Sequence, residues 1–373
     1  MKRLIALLLV ASFALLFMPA LPARALSLPS ISAKSAVLIE AESGKVLFGR
    51  SENTRLPMAS TTKIMTAITA LEHCDDLDAL ISVDKRAVGI EGSSVYLYAG
   101  ERISMRSLLY ALLLSSANDA AAAIAFALCG SVEGFADLMN GLAARLGLSH
   151  THFTNPHGLH DDQHYTTARE LAIITAYALK NPTFKEIVST KKATFQIDNG
   201  ESSRYLVNHN KLLSSYRGAI GVKTGFTKKA GRCLVSAAER DGMTLIAVTL
   251  NAPDDWRDHT ALLDFGFDSY ERISLDRFSC ELPVISGVSS SVRAESSKEL
   301  DVFISKARGD ISTSVLLPRF VYADIKEGDV LGEIRYRCDG KIIASSPIVA
   351  TESVSQIRYK KNLFEWLASL FGY

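Results

Sequence analysis

Apolar positions change their spacing along this chain, and each change marks a different piece of architecture. Ser35 to Glu40 and Lys45 to Arg50 are short β-type segments around Glu42-Ser43-Gly44, which predicts a hairpin. A helical middle follows. Its clearest parts are the apolar stretch Ile64 to Ile68, the run Leu108 to Leu114 and the Ala-rich run Ala120 to Leu128. Strand patterns return at Gly218 to Thr227, then at Gly231 to Glu239 and Met243 to Asn251 around Asp241-Gly242. Strands at both ends with helices between them predict one sheet assembled from distant parts of the chain, flanked by a helical cluster. After Tyr270 the pattern is β-rich, at Leu300 to Ser305, Ser312 to Leu317, Val330 to Arg337 and Lys341 to Ala350, with Asp339-Gly340 as a hairpin turn. The expected fold is therefore an α/β (α+β) domain over residues 26–272 and a small β-rich domain over 273–355.

The two ends read differently. Lys2-Arg3, the apolar stretch Leu4 to Met18 and the small-x-small string Ala23-Arg24-Ala25 form a secretory signal peptide, residues 1–25. Its apolar core is about fifteen residues, short of the roughly twenty that span a bilayer. In the tail, residues 356–373, the apolar side chains Leu363, Phe364, Trp366, Leu367, Leu370 and Phe371 recur at helical spacing behind Lys360-Lys361. That pattern suits an amphipathic helix lying in a membrane interface, and packing onto the β-rich domain is the other reading.

Composition narrows the partners. At 373 residues and 48% hydrophobic content the chain is globular. Without Lys2, Arg3 and Arg24 its 41 basic residues fall to 38 against 40 acidic ones, and no basic patch invites nucleic acid. The five cysteines, Cys74, Cys129, Cys233, Cys280 and Cys338, have no CxxC spacing, and no pairing follows from the sequence. Apolar surroundings make Cys129 and Cys233 expected buried thiols. Five of the eight histidines lie at His150, His152, His157, His160 and His164, in a Pro- and Gly-punctuated loop. Their irregular spacing argues against zinc, and neither a metal nor a cofactor is expected.

Chemistry is concentrated in three short strings. In Ser60-Thr61-Thr62-Lys63 a hydroxyl and an amine are three residues apart, so on a helix they share a face. A lysine on an apolar helix has a lowered pKa, which suits a base that takes the Ser60 proton. Ser116-Ala117-Asn118 sits at a helix junction, where capping is the plain alternative. Lys223-Thr224-Gly225 lies in a strand and offers a carboxylate a cation and a hydroxyl, with Gly225 allowing close approach of a substrate backbone.

In this order and separation, the three strings resemble those of the penicillin-recognising serine acyltransferases. The flanking residues Val37 to Leu47, Asp119-Ala120, Thr151 to Leu159 and Phe226 to Gly231 narrow the resemblance to the low-molecular-weight D-alanyl-D-alanine carboxypeptidases, peptidases of the S11 type. The resemblance covers about Ser35 to Tyr270. It implies a transpeptidase-like fold, peptidoglycan stem peptides as substrate, β-lactams as covalent inhibitors and an exported enzyme peripheral on the outer face of the membrane. It also implies roles: Ser60 as nucleophile, Lys63 as base, Ser116 as proton relay, and Asn118, Lys223, Thr224, Gly225 and Phe226 as substrate-binding positions. The backbone N–H groups of Ser60 and Phe226 would form the oxyanion hole, and His209 falls where relatives carry a basic residue. The glutamate loop of class A β-lactamases is missing, and Glu170, the nearest acid, reads as part of an ordinary helix start. Other activities on the same scaffold are DD-endopeptidase and β-lactamase, and a catalytically silent wall-binding scaffold is the alternative of another class.

Overall fold

The computed structural model describes residues 28–197 and 202–358, so the segment read as a signal peptide, and all but the first three residues of the segment read as an amphipathic tail, lie outside the described residues. The chain divides into two compact units, with the boundary between Ser269 and Tyr270.

The first unit is built on a five-stranded antiparallel sheet. Its spatial order is Val46–Arg50, Ser35–Glu40, Met243–Leu250, Gly231–Arg240 and Ala219–Thr227. The N-terminal hairpin thus pairs with strands two hundred residues later, as the split strand pattern predicts. Val37 lies opposite Val248, and Ile39 opposite Ile246. These side chains share a face of the sheet and join a fully buried cluster with Ile64, Met65, Leu109, Leu112, Ile124 and Phe135 from the helices. Alternation sends Leu38 and Leu245 to the other face, against Gly266 of the helix Asp255–Ser269. Asp241 and Gly242 have φ of 49° and 72°, the paired left-handed conformation of a two-residue hairpin turn.

Helices Lys63–His73, Met105–Leu114, Asn118–Cys129 and Val132–Arg145 form the helical cluster. The Ala-rich third helix has almost no polar face and is buried from Asn118 to Ala125, stopping at Gly130 in a left-handed C-terminal position. Because its side chains are small, neighbouring helices approach closely, and the first residues of two of these helices face one another.

The second unit carries a six-stranded sheet in the order Ile311–Leu316, Val330–Cys338, Lys341–Ala350, Ser291–Ser296, Ser279–Ile285 and Val321–Tyr322. A separate two-stranded ribbon joins Tyr270–Leu275 to Leu300–Ser305. Val292, Ala294, Ile334, Tyr336, Ile348 and Ala350 make its small core, and Tyr336 OH donates to Asp276 O at 2.6 Å. Asp339 and Gly340 take the left-handed φ values expected of the turn.

Candidate active site

Ser60 lies in a single 3₁₀ turn, Ala59–Thr62, which runs straight into the helix beginning at Lys63. The tighter turn places Ser60 just ahead of the α-helix, and Lys63 Nζ still donates to Ser60 Oγ at 3.0 Å. The residue before Ser60 is unusual. Ala59 has φ of +48°, a conformation that costs a residue with a Cβ on the order of 1–3 kcal/mol unless its surroundings impose it. Two hydroxyls hold the turn: Thr61 Oγ1 donates to Met58 O at 2.6 Å, and Thr62 Oγ1 donates to Ala59 O at 2.8 Å.

Lys63 is completely buried. Besides Ser60, its amine donates to Asn118 Oδ1 and to His157 O, both at 2.6 Å. None of these partners is a carboxylate. Burial drives the Lys63 pKa well below the ordinary lysine range, the nearby Lys223 lowers it further, and Asp119 opposes both. The Asp119 carboxylate is itself occupied. It accepts from Ser94 Oγ at 2.6 Å and Leu97 N at 3.0 Å, and so fixes the segment that passes over the Asn118 helix.

Neither polar residue of Ser116-Ala117-Asn118 caps the helix. Ala117 occupies the N-cap position, and Asn118 is the first helical residue. Its amide is engaged at both ends, accepting from Lys63 and donating to Glu91 O at 2.5 Å. Ser116, with φ of +59°, is buried, and no hydrogen bond reaches its hydroxyl among the described residues. Lys223, in the edge strand Ala219–Thr227, is 1% exposed, and among the described residues its amine donates only to Thr224 O at 3.0 Å. Burial lowers its pKa to about 7. Thr224 is half-buried and Phe226 exposed, so the strand turns from interior to surface across these four residues.

Two glycines bring these parts together. A Cβ on Gly225 would lie 3.0 Å from Ser60 N and 3.1 Å from Thr61 N, and one on Gly158 would lie 2.0 Å from Ala59 O. The edge strand and the His157-Gly158 loop thus grip the Ser60 turn from two sides, backbone against backbone.

The family model described as D-alanyl-D-alanine carboxypeptidase matches residues 23–254, and that of the penicillin-binding protein 5 C-terminal domain matches residues 278–356. The chain belongs to the D-alanyl-D-alanine carboxypeptidase family. It is 32% identical to the carboxypeptidase DacF of Bacillus subtilis over 98% of this chain and 99% of that one. It is 31% identical to DacA of Escherichia coli, over 92% and 89%. Penicillin-binding protein 5 from Haemophilus influenzae superposes with a TM-score of 0.72 at 28% identity, covering 88% of this chain and 99% of that one. The Streptomyces K15 DD-transpeptidase gives 0.62 at 36% identity, over 65% and 99%.

Within this family fold, Glu170 serves the loop and not the serine. Its carboxylate accepts from His150 N at 2.9 Å and from Thr151 Oγ1 at 2.5 Å, at the start of the helix Ala168–Leu179. His209 donates its backbone N–H to Leu114 O, and burial and Lys223 both lower its pKa. All five cysteines are free; Cys233 is buried as expected, but Cys129 is only partly so, because it ends its helix next to Gly130.

Sequence reasoning missed three members of the site: the His157 carbonyl, the left-handed Ala59 and the buried His164. It assigned Gly225 to close approach of a substrate backbone, and the nearest neighbour of its missing side chain is the Ser60 amide. Gly225→Ala would force strand and turn apart by a few tenths of an ångström. A misplacement of about 1 Å costs roughly a hundredfold in rate, so this smaller shift is expected to cost up to about tenfold. The expected outcome is that loss in penicillin acylation rate together with a lowered thermal midpoint, since the crowded backbone must shift in the fold, measured by stopped-flow and calorimetry.

Proposed function

We propose that this chain removes the terminal D-alanine from peptidoglycan stem peptides through an acyl-enzyme on Ser60, and that β-lactams acylate the same oxygen. The observation that carries the reading is the Lys63 amine, fully buried, without a carboxylate partner among the described residues, and 3.0 Å from Ser60 Oγ. Lys63 takes the Ser60 proton as the oxygen attacks the carbonyl carbon of the penultimate D-alanine. The tetrahedral oxyanion is received by the backbone N–H groups of Ser60 and Phe226. Ser116 passes the proton to the leaving amine, and free D-alanine departs. Water then attacks the ester, and its proton returns along the same path. Asn118 holds the Lys63 amine and binds the peptide amide, Lys223 and Thr224 receive the terminal carboxylate, and Gly225 keeps the strand close to the serine. The deciding experiment is intact-mass spectrometry with penicillin and with a pentapeptide: a Ser60 adduct together with D-alanine release supports the reading, and its absence overturns it.

A second reading has support from the Streptomyces neighbour, a DD-transpeptidase. Here an amine replaces water as the acceptor. Adding an amine acceptor to the pentapeptide assay separates the two by product mass.

The amine charges set an expected pH profile for kcat/KM. Acylation needs neutral Lys63, so the rate falls as acidification protonates it. Carboxylate binding needs charged Lys223, so the rate also falls as pH rises through about 7. The positive charge on Lys223 also lowers the Lys63 pKa, so the two limbs are linked through the charge on Lys223. Lys223→Ala is expected to lower kcat/KM throughout and to remove the alkaline limb.

The same proposal places the mature enzyme outside the cytoplasm after removal of residues 1–25, with the catalytic domain over 26–272, the β-rich domain over 273–355 and attachment through 356–373. Deleting Asn362 to Tyr373 is expected to abolish co-sedimentation with liposomes while pentapeptide turnover stays unchanged, since interfacial affinity scales with buried apolar area. Equal sedimentation of both forms would reject the anchor.

A further inference from the structure

The histidine-rich loop contributes the His157 carbonyl to the site, and one of its imidazoles also reaches the Ser60 turn. His164 is 3% exposed, and its ring meets Phe153 edge-on with centroids 5.7 Å apart. Its Nδ1 lies 3.1 Å from the backbone N of Thr154, and its Nε2 lies 2.8 Å from Thr62 Oγ1. A backbone N–H can only donate, so Nδ1 is the bare, accepting nitrogen. A neutral imidazole carries one proton, which is therefore on Nε2 and is donated to Thr62 Oγ1. That direction leaves the Thr62 hydroxyl proton free to reach Ala59 O, 2.8 Å away. The Thr154 hydroxyl, 3.3 Å from Nδ1, faces the same bare nitrogen and can only donate to it. Burial keeps the ring neutral, lowering its pKa to about 4. The chain ends on the carbonyl of the one residue in the turn that has left-handed φ, next to Ser60.

We propose that His164 is a positioning residue for acyl transfer, acting through Thr62 to hold the Ala59 carbonyl and so aim Ser60 Oγ at the substrate carbonyl. The inference rests on Ser60 being the nucleophile. It explains why a buried imidazole, costly to place in an apolar setting unless both nitrogens are bonded, sits beneath a turn that contains no histidine. Among the described residues His164 makes no hydrogen bond to Ser60 or Lys63, and the Thr62 hydroxyl is its hydrogen-bonded link to the turn.

The test separates aim from fold. Thr62→Val removes the hydroxyl at nearly constant volume, and Thr62→Ser restores it. His164→Gln keeps a donor near the Nε2 position, and His164→Asn keeps an acceptor near Nδ1 only. Penicillin acylation is resolved into the pre-covalent dissociation constant and the first-order acylation rate. A displaced nucleophile costs about tenfold to a hundredfold in rate, so Thr62→Val and His164→Asn are expected to lose that in the acylation step, with the dissociation constant within about twofold of wild type. Thr62→Ser and His164→Gln recover most of it. Nitrogen NMR of the wild-type protein gives a readout independent of the variants: His164 is expected as the Nε2–H tautomer. A wild type that forms no adduct on Ser60 overturns the nucleophile and this inference together. A wild type that does, beside a Thr62→Val variant acylating equally fast, overturns this inference alone. An Nδ1–H tautomer, or rate losses that merely follow the thermal midpoint, also overturn it.

Discussion

Ser60→Ala is expected to eliminate penicillin acylation and D-alanine release together, with a loss approaching roughly 10⁶-fold in kcat, the scale seen when a serine nucleophile is deleted. The size of the effect follows from the surroundings. Ser60 Oγ receives a hydrogen bond from the buried amine of Lys63 at 3.0 Å, and no such bond reaches the hydroxyl of Ser116 among the described residues. Thr61 and Thr62 point their hydroxyls back to the carbonyls of Met58 and Ala59, so neither is free to substitute. The fold is expected to survive, because the change deletes one oxygen from a half-buried side chain and leaves the turn's own bonds in place. Intact-mass spectrometry after prolonged incubation with penicillin is the check. An adduct that persists on the variant, located by peptide mapping, would move the nucleophile elsewhere.

Part of this site was legible because it is local in sequence. Ser60 and Lys63 are three residues apart, and any turn-to-helix geometry brings them within reach, so the spacing is nearly sufficient. The strand that carries Lys223 announces itself by its apolar neighbours, and the Asp241-Gly242 turn by its residue types. The anchors of Lys63 left no such mark. His157 O is a backbone carbonyl 94 residues away, and every residue has one. Ala59 looks like a helix former, and nothing in its residue type marks the left-handed φ it takes beside the Gly158 loop. The His150 to His164 cluster gave a signal of the wrong kind. Metal-type residues gather there, but His164 bonds to Thr62 and Thr154, and His150 lies beside Glu170, so these side chains serve structure within the loop and beneath the serine. A count of histidines cannot distinguish a bare nitrogen that accepts from a backbone amide from one that awaits a metal.

Lys63→Met is expected to lower acylation by about 10²–10⁴-fold, the usual contribution of a general base, while moving the thermal midpoint little. Two opposing terms produce the second half of that statement. An amine buried without a counter-charge is costly, and an apolar side chain of similar length removes the cost. The same replacement strands Asn118 Oδ1 and His157 O, each of which now accepts from Lys63 at 2.6 Å, and an orphaned buried acceptor costs about 1–3 kcal/mol. The terms are of similar size, so the shift in midpoint stays within a few degrees, at about 2–4 °C per kcal/mol for a domain of this length. The stability of the two proteins separates with pH in a defined direction. The folded-state pKa of Lys63 lies below its unfolded value, so the unfolded chain binds the extra proton between the two. Wild-type stability therefore rises with pH across that interval relative to Lys63→Met, and below it the methionine variant gains most. Lys63→Arg is the sharper control for chemistry. It restores donors toward Asn118 and His157 but stays protonated at any working pH, so it cannot take the Ser60 proton. Acylation by the arginine variant is expected to stay as slow as by the methionine variant from pH 6 to pH 10. A rate that recovers with alkali in either one would show that the base is not Lys63.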